Sequence, residues 1–120
     1  MKTDNVIQDK SYQFALRIVK LHRYLTEENK EYVLSRQVLR SGTSVGANVE
    51  EAIGGQTEKD FFAKLSIAYK EARETSYWIR LLRDSEYLKA SLAESILADC
   101  DELIRIIGSI QKTIRARNNK

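Results

Sequence analysis

The stretch TEKDFFAKLSIAYKEARETSYWIRLLRDS, residues 57–85, decides the fold. Within it Phe61, Leu65, Ala68, Ala72, Thr75, Ile79 and Leu82 follow one another at steps of four and three without a break. A helix brings residues three and four apart onto one face, so this row is a single stripe of the kind that seams a helical bundle. Phe62, Tyr69 and Trp78 flank it. Thr57 stands where an N-cap hydroxyl accepts a first-turn amide, and Glu58 and Asp60 follow where carboxylates favour the helix dipole. Arg83-Asp84-Ser85 marks the end of this helix.

Upstream, Ile7, Phe14, Ile18, Leu21 and Leu25 form a second helical stripe from about Asn5 to Glu28, with Asp4 or Asn5 as the N-cap. The polar cluster Thr26 to Lys30 ends it in a short turn. A further helix is expected from about Tyr32 to Ile53, burying Leu34, Val38, Val45, Val49, Ala52 and Ile53. Its centre, Ser41 to Ala47, is nearly all small residues, and two glycines inside a helix cost roughly 2 kcal/mol relative to alanine. Propensity alone allows a loop there. The apolar spacing stays in helical phase through the run, and small side chains let a neighbouring helix approach closely, which favours one continuous helix. Gly54-Gly55 then ends it, glycine taking the left-handed conformation without strain.

Downstream, Ser91 and Glu94 fit a capping box, and Leu92, Ile96, Leu103, Ile107, Ile110 and Ile114 continue a stripe towards the C-terminus. Asp99 interrupts that register, while Leu97, Cys100 and Ile104 widen the apolar face. Four amphipathic helices with short connections pack most simply as an antiparallel, up-down-up-down, all-α four-helix bundle, a single domain spanning residues 1–120. Composition agrees: proline is absent and only five glycines occur, too few turn-formers for an all-β chain.

The first ten residues hold no apolar run suited to a signal peptide, and no window offers a membrane span, so no membrane association and a cytoplasmic location are expected. One cysteine excludes an intrachain disulfide or a cysteine-rich zinc site. A di-metal carboxylate centre in a bundle needs Glu-x-x-His pairs, but the lone histidine, His22, has Val19 three residues before it. His22 therefore reads as a structural or surface residue, and Cys100 as a small apolar filler. Glu71 and Glu74, and the group Asp99, Asp101 and Glu102, could bind a metal; the favoured reading pairs them with Arg36, Arg40, Arg73 or Arg105 at helix edges. Gly42 to Gly46 lacks the Gly-Lys-Ser/Thr of a phosphate loop. No catalytic residue, metal site or cofactor is expected, and the chain reads as a non-enzyme.

The remaining signal is charge. Twenty basic against seventeen acidic residues give a net charge of only +3, but residues 112–120 carry four basic side chains and no acidic one. Arg17, Lys20 and Arg23 lie near one polar face of the first helix, and Lys112, Arg115 and Arg117 close the last. In an antiparallel bundle the end of helix four approaches the start of helix one beside Lys10, so these seven residues form a candidate nucleic-acid surface. It would meet about four phosphates, with a salt slope near −3 for a single strand. A solvated, dipole-stabilised helix end is the plainer alternative.

The run Leu34-Ser35-Arg36-Gln37-Val38-Leu39-Arg40-Ser41-Gly42-Thr43-Ser44-Val45-Gly46-Ala47-Asn48-Val49-Glu50-Glu51-Ala52 carries a further clue, as do Asp60-Phe61-Phe62-Ala63-Lys64-Leu65, Ala72, Glu74 and Tyr77-Trp78. Together they resemble the four-helix-bundle family encoded by intervening sequences of bacterial 23S ribosomal RNA genes. The likeness extends over nearly the whole chain. Gln37, Arg40, Ser44, Asn48 and Glu51 are its most specific element and read as helix-packing and polar-network positions. The resemblance implies a cyclic homopentamer without enzymatic activity. It also implies kinship with accessory variability proteins of diversity-generating retroelements, which bind nucleic acid and a reverse transcriptase. The resulting expectation is an oligomeric module engaging RNA or an RNA–protein complex. A protein-interaction adaptor, for example for a reverse transcriptase, is the alternative.

Overall fold

The computed structural model describes residues 2–119, with side chains from Val6 onward. Four helices follow one another: α1 Lys2–Glu27, α2 Leu34–Ile53, α3 Glu58–Asp84 and α4 Ala90–Asn118. They form an antiparallel bundle, a rod of 51 × 22 × 21 Å in which each helix packs against the next and α4 returns beside α1. Cross-helix bonds give the directions: Gln111 Nε2 donates to Ser66 Oγ at 2.8 Å, and Cys100 Sγ lies 3.1 Å from the Ala72 carbonyl.

The α3 stripe is the spine of the core. Leu65, Ala68, Ala72, Thr75, Ile79 and Leu82 are fully buried, with Phe61 half-buried at the end of the row. Ile7, Phe14, Ile18, Leu21 and Leu25 of α1 and Val38, Val45, Val49 and Ala52 of α2 meet them. Burial of a side chain of this size contributes roughly 1.5–3 kcal/mol. Thr75 is the one polar residue in the α3 row; its hydroxyl meets that of Ser41 at 2.9 Å and donates to the Glu71 carbonyl at 2.7 Å. A buried hydroxyl so bonded carries no desolvation penalty of the unsatisfied kind.

The small-residue run is helical throughout, as its apolar phase requires. A Cβ on Gly42 would stand 2.7 Å from Ile18 Cγ1, and one on Gly46 would stand 3.2 Å from the Ser11 carbonyl oxygen. The glycines are thus the price in helix propensity of a close α1–α2 approach.

Four helix-end expectations need correction. The first helix begins at Lys2, so Asp4 and Asn5 lie within it rather than capping it; their side chains fall outside those described. The second begins at Leu34, because the Glu31 carboxylate accepts from the backbone N–H groups of Ser35 (2.7 Å) and Val33 (3.2 Å) and ends the preceding turn there. Gly54 does close that helix, but at φ −80°; the left-handed positions belong to Lys30 (φ 53°) and Glu86 (φ 70°) in the α1–α2 and α3–α4 connections. The last helix starts one residue early, at Ala90, so Ser91 sits inside it and no capping box forms. The buried row there is Ala93, Ile96, Cys100, Leu103, Ile107, Gln111 and Ile114, while Leu92 is exposed. Cys100, not Asp99, occupies the inward position, and the apparent break in register disappears. The Thr57 cap holds as expected, accepting from the Asp60 amide at 3.0 Å.

Candidate nucleic-acid interface

The seven basic residues expected to form one surface separate into two groups. Arg17 reaches across to α4, donating to Asp99 Oδ2 at 2.7 Å, to the Ser95 carbonyl at 3.3 Å and to Ser95 Oγ at 3.1 Å. Lys10 pairs with Glu102 at 3.2 Å. Lys112 lies a further ten residues along α4 from Glu102, and thirteen from Asp99, which is roughly 15–20 Å at 1.5 Å per residue. Lys20 and Arg23 face outwards on α1, near the opposite end from Lys112, Arg115 and Arg117. Arg117 is bonded to Glu58 at the start of α3. Arg115 turns towards α3 and places its guanidinium carbon 5.2 Å from the centre of the Phe62 ring. The single patch around Lys10 is therefore replaced by two clusters, with α4 carboxylates between them engaging Lys10 and Arg17. Lys20, Arg23 and Lys112 form no ion pair among the described residues.

Of the carboxylates weighed as metal ligands, Glu71, Glu74, Asp99 and Glu102 are engaged by cations, while Asp101 is exposed with no ion pair among the described residues. Arg40 of α2 bonds Glu71 Oε2 at 3.2 Å and also Glu74, while the Trp78 indole donates to Glu74 Oε2 at 2.9 Å. Gln37 accepts from Arg40 Nε at 3.1 Å. Glu51 pairs with Lys64 at 2.9 Å, and Asn48 Nδ2 donates to the Ser44 carbonyl at 2.9 Å and to Ser44 Oγ at 3.0 Å. Gln37, Arg40 and Glu51 thus lie in a polar seam along α2 and α3, and Ser44 and Asn48 bond to each other within a single turn of α2. Among the described residues no three His, Cys, Asp or Glu side chains converge as metal ligands would.

Cys100 is buried, and its thiol is pushed up to about 12, chiefly by desolvation and then by the nearby charges of Asp101 and Asp99; a backbone hydrogen bond from Ser76 opposes the shift. A thiol so held is neutral at physiological pH and a poor nucleophile. His22 is half-buried on α1, with its carbonyl accepting the Thr26 hydroxyl at 3.0 Å.

A different face emerges where α3 and α4 lie side by side. Arg73 holds its guanidinium carbon 6.0 Å from the centre of the Tyr69 ring, one turn back on the same helix. Two turns further back lies Phe62, over which Arg115 of α4 extends. Gly108 of α4 faces Tyr69, since a Cβ there would meet Tyr69 Cε2 at 3.5 Å. Lys112 is exposed on the outer side of α4, and Arg105, seven residues before it, stands on the same outer stripe between this face and the groove on the α1 side. The Tyr69–Arg73 spacing of four was visible in the sequence; the Arg115–Phe62 approach needed the packing of two helices. At the end of the rod where α1 starts and α4 stops there is also an open apolar groove of about 780 Å³, lined by Val6, Ile53, Phe61, Ile106 and Ile110, with Arg105 and Arg117 at its edge. No described helix is long and apolar enough to cross a membrane.

A family model described as 23S rRNA-intervening sequence protein matches residues 3–109. No curated protein sequence matches the chain. Among solved structures, a protein of unknown function from the S23 ribosomal protein family of Bacteroides thetaiotaomicron is similar. It is 51% identical, with 92% of this chain and 98% of that chain covered, and a TM-score of 0.90. With the family model spanning all but the C-terminal turns and the bundle geometry shared at that level of identity, the chain belongs to the 23S rRNA-intervening sequence protein family.

Proposed function

We propose that this protein is a non-enzymatic, oligomeric binding module that engages RNA or an RNA–protein complex through basic side chains on the outside of the bundle. The observation that carries the reading is a segregation of charge. Asp99, Glu102, Glu71, Glu74, Glu51 and Glu58 are engaged in bonds between helices. Lys20, Arg23, Arg73, Arg105 and Lys112 project outwards with no ion pair among the described residues. Pairing leaves the net charge at +3, and exposed carboxylates such as Glu28, Glu86, Glu94 and Asp101 also form no ion pair among the described residues, so an approaching polyanion meets these cations as a local field rather than a global one. Binding carried by phosphates releases counterions, so affinity should fall steeply with salt. The test is titration of the purified protein with RNA from about 50 mM salt upwards: binding with a negative slope is expected. Absence of binding at the lowest salt, or a flat salt profile, rejects the reading. A homopentamer, as the family resemblance implies, is expected by sedimentation.

A protein-interaction adaptor is the second reading. It is favoured by the apolar side chains at the end of the rod that holds the α1–α2 and α3–α4 connections. Tyr24, Tyr32, Val33 and Tyr87 are exposed there, Val33 by 69%, and Asn29 ties the two connections together by donating to the Tyr87 carbonyl at 2.6 Å. Exposed aromatics grouped in this way suit a protein partner such as a reverse transcriptase. A complex that survives nuclease treatment and is lost in Tyr32→Ser/Val33→Ser would select this reading over the first.

A further inference from the structure

We propose that the face shared by α3 and α4 is a site for single-stranded nucleic acid, with phosphates taken by Arg73, Arg105, Lys112 and Arg115 and unpaired bases stacking on the Arg73 and Arg115 guanidiniums that lie over Tyr69 and Phe62. The inference rests on the RNA-binding reading and moves its centre away from α1.

Three observations converge on this face. The first is its charge: none of the four cations forms an ion pair among the described residues, in contrast to Lys10, Arg17 and Arg40, whose partners are carboxylates across a seam. The second is that two of the cations are held in place. Arg115 over Phe62 and Arg73 over Tyr69 rest on ring faces, an interaction that leaves guanidinium N–H donors free and limits the rotamers to be frozen when a phosphate arrives. Carboxylate partners would have consumed those donors.

The third observation is the anchoring of the rings. Phe62 and Tyr69 are half-buried, and Gly108 lets Tyr69 lie against the α4 backbone. The Ser66–Gln111 bond of 2.8 Å between the two rings fixes α3 against α4. The platform spans twelve residues of α3, from the level of Phe62 and Arg115 to Arg73, roughly 16 Å along the axis and enough for several nucleotides. Asp101, and Glu94 beyond it, bound the positive run on the Arg73 side. A guanidinium seated on a ring presents its outer plane to an unpaired base, a stack that a base inside a duplex has no free face to make. An acidic protein segment would use the cations but gain nothing from the stack.

The experiment is fluorescence anisotropy with a labelled oligouridylate of roughly twelve nucleotides, within the usual site size of such binders. Wild-type protein should bind with a log–log salt slope near −3, about −0.7 for each of four phosphates. Arg73→Gln/Lys112→Gln should weaken binding and make the slope shallower by about 1.4. Tyr69→Leu should lower affinity about tenfold with the slope unchanged, the signature of lost stacking rather than lost charge. The charge-matched Arg36→Gln/Lys89→Gln, away from this face, should bind as wild type, and thermal melts by circular dichroism verify that each variant is folded. Failure of the wild type to bind overturns both this site and the RNA-binding reading. Wild-type binding that the Arg73/Lys112 variant retains in full overturns the site alone. Duplex RNA bound as tightly as the single strand, or Tyr69→Leu without effect, overturns the single-strand assignment. A change of oligomeric state in the Arg73/Lys112 variant, with RNA affinity intact, assigns the face to a subunit contact and likewise overturns it.

Discussion

An alanine at position 42 would carry its Cβ to 2.7 Å from Ile18 Cγ1 and 2.8 Å from Cγ2, the branch atoms of a fully buried side chain with little freedom to retreat. Helix propensity favours alanine over glycine by about 1 kcal/mol, whereas overpacking costs typically about 1–3 kcal/mol. Gly42→Ala should therefore destabilise the protein, on the order of 1 kcal/mol, with a lowered denaturation midpoint and an unchanged m-value. Cys100 yields a second prediction at this scale. Its thiol is pushed up to about 12 when folded, against an ordinary value of 9.0. A raised pKa favours the neutral form in the fold, so the stability it confers is complete below about pH 9 and is lost as pH rises towards 12. Between those values wild type should lose more stability than Cys100→Ala does, compared by urea denaturation across pH. Thiol reagents should label Cys100 at the rate of unfolding.

Among the elements, the α2–α3 seam depends on Arg40, which bonds Gln37, Glu71 and Glu74 at once, with Trp78 closing the far side. The arginine is about half exposed, so screening limits its worth: Arg40→Ala should cost about 1 kcal/mol, less at high salt, in denaturant melts. Thr57→Ala, removing the α3 cap, should also cost about 1 kcal/mol. The α3 stripe was legible in advance because no other period fits its row of fours and threes, and the Thr57 cap because hydroxyl-before-acid is a local signal. The α4 register was not. Leu92 looked more core-like than Ala93, yet the smaller residue faces inwards and so brings Cys100 into line. The start of α2 was equally hidden, since a glutamate three residues before the first helical residue reaches forward to two amides. The basic surface was legible as composition only. Which cations remain free depends on carboxylates from distant parts of the chain, such as Asp99 beside Arg17 and Glu58 beside Arg117.

On the scale of the whole molecule, the helices sit beside their chain neighbours, joined by short connections, and only the α1–α4 seam brings distant segments together. That seam is the least extensive in the rod. Its sequence-distant ties include Lys10–Glu102 and Arg17–Asp99, and beyond them the groove opens between Val6 and Ile106. The amides of α1 should therefore exchange with deuterium sooner than those of α3, measured by native-state hydrogen exchange. The same order of neighbours governs how the chain finds its shape. Almost no long loop has to close before favourable contacts begin, so the polypeptide can zip hairpin by hairpin from the α2–α3 pair outwards. Refolding in dilute denaturant should then finish within microseconds to milliseconds, with no proline-limited slow phase, since the chain contains no proline.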